Sequence, residues 1–258
     1  MARRLAAAGV DQRLVVRDPA RAPELPGTEV ATASFGDFAA VRAALDGIDT
    51  VFMVSAAESA DRLDQHRTFV DAAVAAGVHH IVYLSFFGAA PDATFTLARD
   101  HFVTEEYIKA AGPRYTFLRD NIYADFIPFM IGEDRVIRGP GGDGRVAAIA
   151  QDDIADVATA VLRDPGEHDG AVHSLTGPEA LSFAEIAALI GPDARYHAET
   201  LEEAYASRAK YDAPQWQVDA WVSTYTAIAA GELAEVTETV ERITGHPALT
   251  VAELLARR

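Results

Sequence analysis

Short apolar runs alternate with amphipathic segments over the first 120 residues, and this alternation restricts the fold more than any other feature. Segments of helical spacing separate the runs, and one of them closes at Gly77 as a helix C-terminus does. This order is typical of right-handed βαβ units, so we expect an α/β fold with a doubly wound, parallel, Rossmann-like sheet. The runs are RLVVR (13–17), EVATASF (29–35), TVFMVS (50–55), HIVYLSFF (80–87) and RYTFLR (114–119).

The pattern changes after residue 120. Glycines and a proline cluster within residues 135–150, which predicts a hairpin or flap. Capping-box spacing at Ser182 and at Thr250 predicts two helix starts, and residues 199–258 are mostly helical and acidic in character. We therefore expect a core over residues 1–178 and a small, mostly helical lobe over residues 179–258, packed together as one unit.

Charge and composition exclude several classes of function. The net charge of −17 argues against binding to nucleic acid or to an anionic membrane, because both require clustered positive charge. The chain has no cysteine, and neither an HExxH motif nor another frame for a metal site is present. No apolar run approaches the length of a membrane span, and the N-terminus does not resemble a signal peptide. A cytoplasmic protein with a small-molecule ligand is expected, and its oligomeric state stays open.

Six segments, taken in order, resemble one family over nearly the whole chain. Together they are similar to atypical short-chain dehydrogenases/reductases of the NmrA-like group, and within it to type-2 NAD(P)H:quinone oxidoreductases. The segments are VVRDPARAPEL, AALDGIDTVFMVS, FVDAAVAAGVHHIVYLS, TEEYIKAAGPRYTFLRDNIYADF, DDIADVATAVL and HSLTGPEALSFAEIA.

The start of the chain departs from this family. Its members begin with a strand and a GATGxxG loop, whose backbone amides bind the cofactor pyrophosphate. Here Met1 falls within the helix that follows that loop, and Gly9 stands at the end of the helix, where it does not substitute. The absent strand belongs between the strands at 13–17 and 50–55. Either the natural start lies upstream, which we favour, or the chain is a truncated relative without a pyrophosphate site.

The resemblance suggests how the cofactor is chosen. Arg17 ends the second strand of the family's fold, where an arginine binds the 2′-phosphate of NADP(H), and Arg21 is near enough to help. We therefore expect NADP(H) in preference to NAD(H), although a turn charge paired with Asp18 is the alternative. Ser34 and Phe35 resemble the positions that border the adenine, and Phe35 is equally compatible with a core position.

Further cofactor-binding positions follow from the strand ends. Val54 and Ser55 end one strand at the edge where ligands bind in open α/β sheets. Ser85 and Phe86 end the next one, where the nicotinamide ring is expected. Asn121 belongs to the mouth of the same cleft.

The proton donor is less obvious, because the tyrosine-xxx-lysine pair of the classical short-chain reductases is absent. Ser85, His101 and Tyr123 are the candidate catalytic residues. The resemblance places His101 where some relatives carry a lysine, so it is a candidate for cofactor binding as well, and a solvated helix-surface histidine is the alternative. Glu105 and Lys109 have the spacing of a surface ion pair.

These expectations combine into an NADPH-dependent oxidoreductase that transfers a hydride to a quinone-like or other conjugated acceptor. Asn121 and Tyr123, with Phe126, Phe129 and Met130, have the character of an apolar, aromatic wall for a flat substrate, and core packing is the equal alternative for the phenylalanines. Two alternatives remain: a non-catalytic NADP(H)-binding redox sensor, and a truncated relative that has lost dinucleotide binding.

Overall fold

A computed structural model of the chain describes residues 1–257. Within them the strands are β1 Gln12–Val16, β2 Thr28–Thr32, β3 Thr50–Val54, β4 His80–Phe86, β5 Arg114–Asp120, β6 Val136–Gly139, β7 Arg145–Val146, β8 Val172–Leu175, β9 Leu181–Ser182 and β10 Arg195–Ala198. The helices are α1 Ala2–Ala7, α2 Phe38–Ala44, α3 Arg62–Ala75, α4 Thr96–Ala111, α5 Ile127–Met130, α6 Gln151–Arg163, α7 Phe183–Ile190, α8 Leu201–Arg208, α9 Gln215–Ala229, α10 Thr239–Thr244 and α11 Val251–Ala256. The predicted α/β alternation is confirmed.

The main sheet has four strands in the order β3-β4-β5-β8, and β3 and β4 run parallel. All seven residues of β4 are buried, as expected for an inner strand covered on both faces. A separate parallel pair joins β1 to β2. Within residues 1–257, β1 pairs only with β2 and β3 only with β4. The sheet is thus divided at the point in the strand order where the family's first strand belongs.

The chain divides into two compact units. The first unit comprises Met1–Ser85, Phe102–Leu118 and Ala155–His173, and the second comprises Phe86–His101, Arg119–Ile154 and the described residues from Ser174 onward. The expected boundary after residue 178 falls inside the second unit. Each unit has an apolar core of its own, which Met53, Phe69 and Ile81 exemplify in the first and Phe183 and Ile228 in the second.

Local signals in the sequence fix several helix ends. After α3 the chain turns at Gly77 with φ +86°, a conformation that glycine adopts without steric cost. The capping boxes at Ser182 and Thr250 are both present and begin α7 and α11. A third capping box, at Thr200, begins α8 and was not predicted.

Of the hairpin or flap predicted within residues 135–150, the hairpin does not form, because β6 and β7 pair with other strands. β6 pairs in parallel with β10, whereas β7 pairs antiparallel with β9. The glycine-rich connection turns locally, with the Gly144 amide donating to the Gly141 carbonyl at 3.0 Å, and it packs on α9. A Cβ at Gly139 would lie 2.1 Å from the Tyr225 ring, and one at Gly144 would lie 2.2 Å from the Ile228 carbonyl oxygen. Close packing against a helix, and not turn formation alone, therefore explains these glycines.

Candidate functional site

Two unneutralised arginines flank the turn after β1. Arg17 and Arg21 are both exposed, and neither guanidinium group makes a hydrogen bond or an ion pair with any residue of the described part of the chain. The Asp18 carboxylate instead accepts a hydrogen bond from the Ala20 amide at 3.0 Å and caps the short turn Pro19–Arg21. The Arg17–Asp18 pair that we considered from the sequence does not form, so both guanidinium groups are open to an anionic ligand.

The two predicted adenine-bordering residues, which follow β2, differ in their surroundings: Ser34 faces solvent and Phe35 packs against the core. Ser34 is exposed, and its carbonyl accepts a hydrogen bond from the Asp37 amide at 3.0 Å. Phe35 stacks on Phe69 with ring centroids 4.8 Å apart, and the His66 ring lies 6.0 Å away. The Phe35 side chain thus packs against the core of the first unit, which is the alternative to an adenine-bordering position that the sequence left open.

Two side chains of α3 hold the loop after β3 by hydrogen bonds to the amide and the carbonyl of Ala56. The Ala56 amide donates to Nε2 of His66 at 2.9 Å, and the Ala56 carbonyl accepts from Nε of Arg62 at 3.1 Å. His66 Nδ1 lies 2.8 Å from Oγ1 of Thr104 and carries the ring proton, since Nε2 accepts. Burial lowers the pKa of His66 to about 3, with the Arg62 charge acting in the same direction.

This arrangement fixes the backbone that follows Val54 and Ser55. The Val54 side chain is 48% exposed and Ser55 is half-buried, so both lie where a ligand can reach them. Sequence reasoning missed His66 and Arg62 as the residues that hold this loop. The only available signal was a histidine and an arginine at i, i+4 spacing on α3, which ordinarily indicates a solvated face.

Ser85 and Glu105 form a buried pair in the first unit. Both are 0% exposed, and the Ser85 hydroxyl donates to Oε1 of Glu105 at 2.5 Å. The predicted surface ion pair between Glu105 and Lys109 is therefore wrong, because Lys109 pairs with Glu106 at 2.7 Å. Glu105 is on the buried face of α4, and the adjacent glutamate takes the solvent side.

In the second unit two ring-bearing side chains lie beside Phe86, the last residue of β4. The Phe86 ring lies 4.8 Å from the Phe95 ring and 6.1 Å from the His101 ring, measured between centroids. His101 is only 7% exposed, so the helix-surface alternative for this residue is wrong. Its imidazole is buried and lies beside the Phe86 ring.

The end of β5 carries a buried carboxyl group. Asp120 is 3% exposed, its Oδ2 has no hydrogen-bond partner within residues 1–257, and the Tyr123 side chain is hydrogen-bonded to the carboxyl. Burial raises the pKa of Asp120 well above its usual value, although the Tyr123 hydrogen bond acts in the opposite direction. A carboxyl group with a raised pKa retains its proton at a higher pH and is able to supply it to a neighbour.

Asn121, the next residue along the chain, makes two side-chain hydrogen bonds to the backbone. Its Nδ2 donates to the Leu233 carbonyl at 3.1 Å, and its Oδ1 accepts from the Ile122 amide at 2.8 Å. Asn121 is fully buried, so these bonds hold the segment that leads from β5 to Tyr123.

A cavity of about 670 Å³ lies within the second unit. Its walls are mainly apolar and aromatic. Of the predicted wall residues, Phe129 and Met130 line the cavity, whereas Asn121, Tyr123 and Phe126 do not. A cavity of roughly 300–1,000 Å³ is the size that drug-sized ligands occupy. The second unit thus provides a binding site of its own for a small organic molecule.

The described residues show neither a membrane-spanning helix nor a metal-ligating cluster. Among residues 1–257 no helix is long and apolar enough to cross a membrane. The same residues contain no group of three or more histidine or acidic side chains arranged to hold a metal ion.

Comparisons with known proteins agree with this architecture. A family model described as NAD(P)H-binding matches residues 1–165. The NAD(P)H azoreductase of Xenophilus azovorans is 35% identical over 251 residues, which is 93% of this chain and 87% of the azoreductase.

Solved structures extend the agreement to the whole fold. The NADPH complex of the quinone oxidoreductase QOR2 from Escherichia coli superposes with a TM-score of 0.89 at 30% identity, covering 98% of this chain and 93% of that one. The transcriptional regulator NmrA, in complex with NAD, superposes with a TM-score of 0.76 at 16% identity over 98% of this chain and 89% of its own, which bears on the fold alone. The chain therefore belongs to the NAD(P)H-binding family, has the NmrA-like fold, and is an NAD(P)H-dependent oxidoreductase.

Proposed function

We propose that this oxidoreductase transfers a hydride from NADPH to a flat, conjugated small molecule such as a quinone or an azo compound. The observation that carries the proposal is the apolar and aromatic cavity of the second unit, since such walls suit a planar π-system. Relatives named for azo and quinone reduction support the same class of acceptor. Bound NADPH supplies the hydride chemistry, and the protein's part is to bind, orient and protonate the acceptor.

The preference for NADPH rests on Arg17 and Arg21. Two exposed guanidinium groups without partners at the end of β1 fit the 2′-phosphate that distinguishes NADP(H) from NAD(H). The 258 residues contain no GATGxxG loop, so the residues present fit the phosphate-bearing ribose and not the pyrophosphate. Ser34, Val54 and Ser55 are proposed to border the cofactor at the ends of β2 and β3.

Tyr123 is the proposed proton donor to the acceptor. The residue is half-buried, and its hydroxyl is hydrogen-bonded to the carboxyl of Asp120. Each reduction adds one hydride and one proton to the acceptor, so a Tyr123 hydroxyl that gives its proton is recharged from Asp120. Asp120 was not among the residues singled out from the sequence.

The remaining candidates have supporting roles in this proposal. His101, with Phe86, is proposed to contact the cofactor or the acceptor within its aromatic surroundings. Ser85 is proposed to act as a positioning residue, because its hydroxyl is buried and already bonded to Glu105. The buried Asn121 amide is proposed to hold the Tyr123 segment for the bound cofactor.

The test measures NADPH binding by fluorescence and NADPH consumption with a neutral naphthoquinone. It uses the 258-residue chain and a chain extended at its N-terminus by the family's strand and GATGxxG loop. We expect the extended chain to bind NADPH and to consume it when the quinone is added. Binding without turnover across a panel of quinone and azo acceptors would overturn the enzymatic proposal and favour a sensor. Absence of binding by both chains would overturn the proposal altogether.

A further inference from the structure

The cavity of the second unit has a charge distribution unlike that of the whole chain. The chain has 22 Lys and Arg residues against 39 Asp and Glu. Around the cavity this ratio is reversed: the cationic lining residues are Arg138, Arg208 and Lys210, and Glu199 is the acidic one. A site for a neutral quinone does not require this reversal.

Two of these cations are matched by carboxylates. Arg208 Nη1 lies 2.9 Å from Oε2 of Glu199, and the side chains of this pair are only 11% and 3% exposed. Arg138 makes hydrogen bonds to both carboxylate oxygens of Asp134, at 3.0 and 2.5 Å. These pairs hold their guanidinium groups at fixed positions, and the Arg208 guanidinium lies 5.2 Å from the centre of the Tyr225 ring.

Lys210 differs from these two arginines in its ion pairing. Its ammonium lies 5.0 Å from the centre of the Tyr211 ring, and it forms no ion pair with any carboxylate in the described residues. Because Arg208 and Arg138 are neutralised, Lys210 leaves one uncompensated positive charge at the cavity. The chain has only one other lysine, Lys109, and that one is paired with Glu106.

The body of the cavity is suited to a planar ring system. Phe183 and Tyr225 lie with ring centroids 5.3 Å apart, and Ile228 and Met130 add aliphatic surface. Aromatic walls favour flat ligands through dispersion and offset stacking. A ligand that satisfies both features has a flat apolar body and one anionic group.

We propose that this cavity binds a conjugated ring carrying a carboxylate or sulfonate, with the ring against Phe183 and Tyr225 and the anion at Lys210. That the ligand is also the acceptor of the hydride rests on the proposed function; the binding itself does not. An ion pair with an exposed ammonium adds modestly to affinity and is weakened by salt.

Calorimetric titration without cofactor tests the binding. The probes are anthraquinone-2-sulfonate and the neutral 2-(hydroxymethyl)anthraquinone, which share the ring system and differ in charge. We expect the sulfonate to bind about threefold to tenfold more tightly, and this difference to disappear in Lys210→Gln. The matched control is Lys109→Gln, which removes the same charge away from the cavity and is expected to preserve the difference.

A second variant tests whether the ring occupies the cavity. Met130→Trp fills part of it from a half-buried position and is expected to weaken both probes at least tenfold with an unchanged melting temperature. Equal affinity for the two probes, or equal losses in the two lysine variants, would overturn the proposal. Charge-selective binding without NADPH turnover would overturn only the proposed function, and turnover of a neutral quinone without selective binding would overturn only this inference.

Discussion

The Ser85 hydroxyl donates a hydrogen bond to Oε1 of Glu105 over 2.5 Å, and both side chains are fully buried. Removing the Glu105 carboxylate leaves the buried Ser85 hydroxyl without a hydrogen-bond acceptor, which lowers the free energy of unfolding by about 1–3 kcal/mol. We expect Glu105→Ala to lower the free energy of unfolding in urea by that amount and Glu105→Gln to lower it less. The exposed neighbour is the control, because Glu106→Ala is expected to change stability by less than about 0.5 kcal/mol. Equal effects at the two positions would contradict the structural role.

Stability is expected to fall as the pH is lowered through the range in which His66 titrates. The folded-state pKa of His66 is lowered to about 3 from 6.5, so the unfolded chain takes up the proton first. The stability that neutral His66 contributes is therefore present above pH 6.5 and is lost progressively as the pH falls towards 3, by about 1.4 kcal/mol per pH unit.

The variant His66→Gln isolates this effect. Burial lowers the pKa of His80 in the same sense, whereas the raised pKa of Asp120 acts in the opposite sense. Both groups remain in the variant, so the difference in slope between wild type and His66→Gln reports His66 alone. Urea titrations between pH 4.5 and 7 measure it, and identical slopes would refute the assignment.

Cofactor preference is expected to depend on Arg17. Replacing it with glutamine removes a charge-assisted bond to the 2′-phosphate, so we expect NADPH to bind about tenfold more weakly and NADH to be unaffected. Arg42 is also exposed and without a partner among the described residues, which makes Arg42→Gln a matched control. Fluorescence titration of both cofactors gives the ratio. A parallel loss of NADH affinity would mean that Arg17 does not read the 2′-phosphate.

Proton delivery by Tyr123 predicts a specific kinetic signature. We expect Tyr123→Phe to lower kcat at least tenfold with little change in KM, and Asp120→Asn to lower it while changing its dependence on pH. Tyr107→Phe is the control, because the Tyr107 hydroxyl also donates to an aspartate, Asp71, at 2.8 Å but at an exposed position. A Tyr123→Phe enzyme with wild-type kcat would exclude this residue as the donor.

The close contact between Gly139 and Tyr225 shapes the cavity. A methyl group at Gly139 would lie 2.1 Å from the ring, so Gly139→Ala is expected to displace Tyr225 and to cost about 1–3 kcal/mol of stability through overpacking. Binding of both anthraquinone probes is expected to weaken with it. At Gly166 an added methyl meets nothing closer than 4.0 Å, so Gly166→Ala serves as the control for thermal unfolding and binding.

Local sequence determined the elements of this fold. Runs of β-branched and aromatic residues predicted β1 to β5 to within about three residues, and the capping boxes at Ser182 and Thr250 predicted the starts of α7 and α11. These signals succeed because backbone preferences and capping hydrogen bonds involve residues only a few positions apart.

Tertiary structure decided the site. The i, i+4 spacing favoured a Glu105–Lys109 pair, yet the packing of α4 turned Glu105 inward to Ser85. The pairing of β6 with β10, the hold of His66 on Ala56, and the cationic lining of the cavity each join residues from distant segments. Such contacts depend on which faces of the helices and strands pack together and on the free energy of burying a charged group. Neither can be read from the spacing of residues a few positions apart. The sequence by itself determined which elements form, and packing determined which side chains meet.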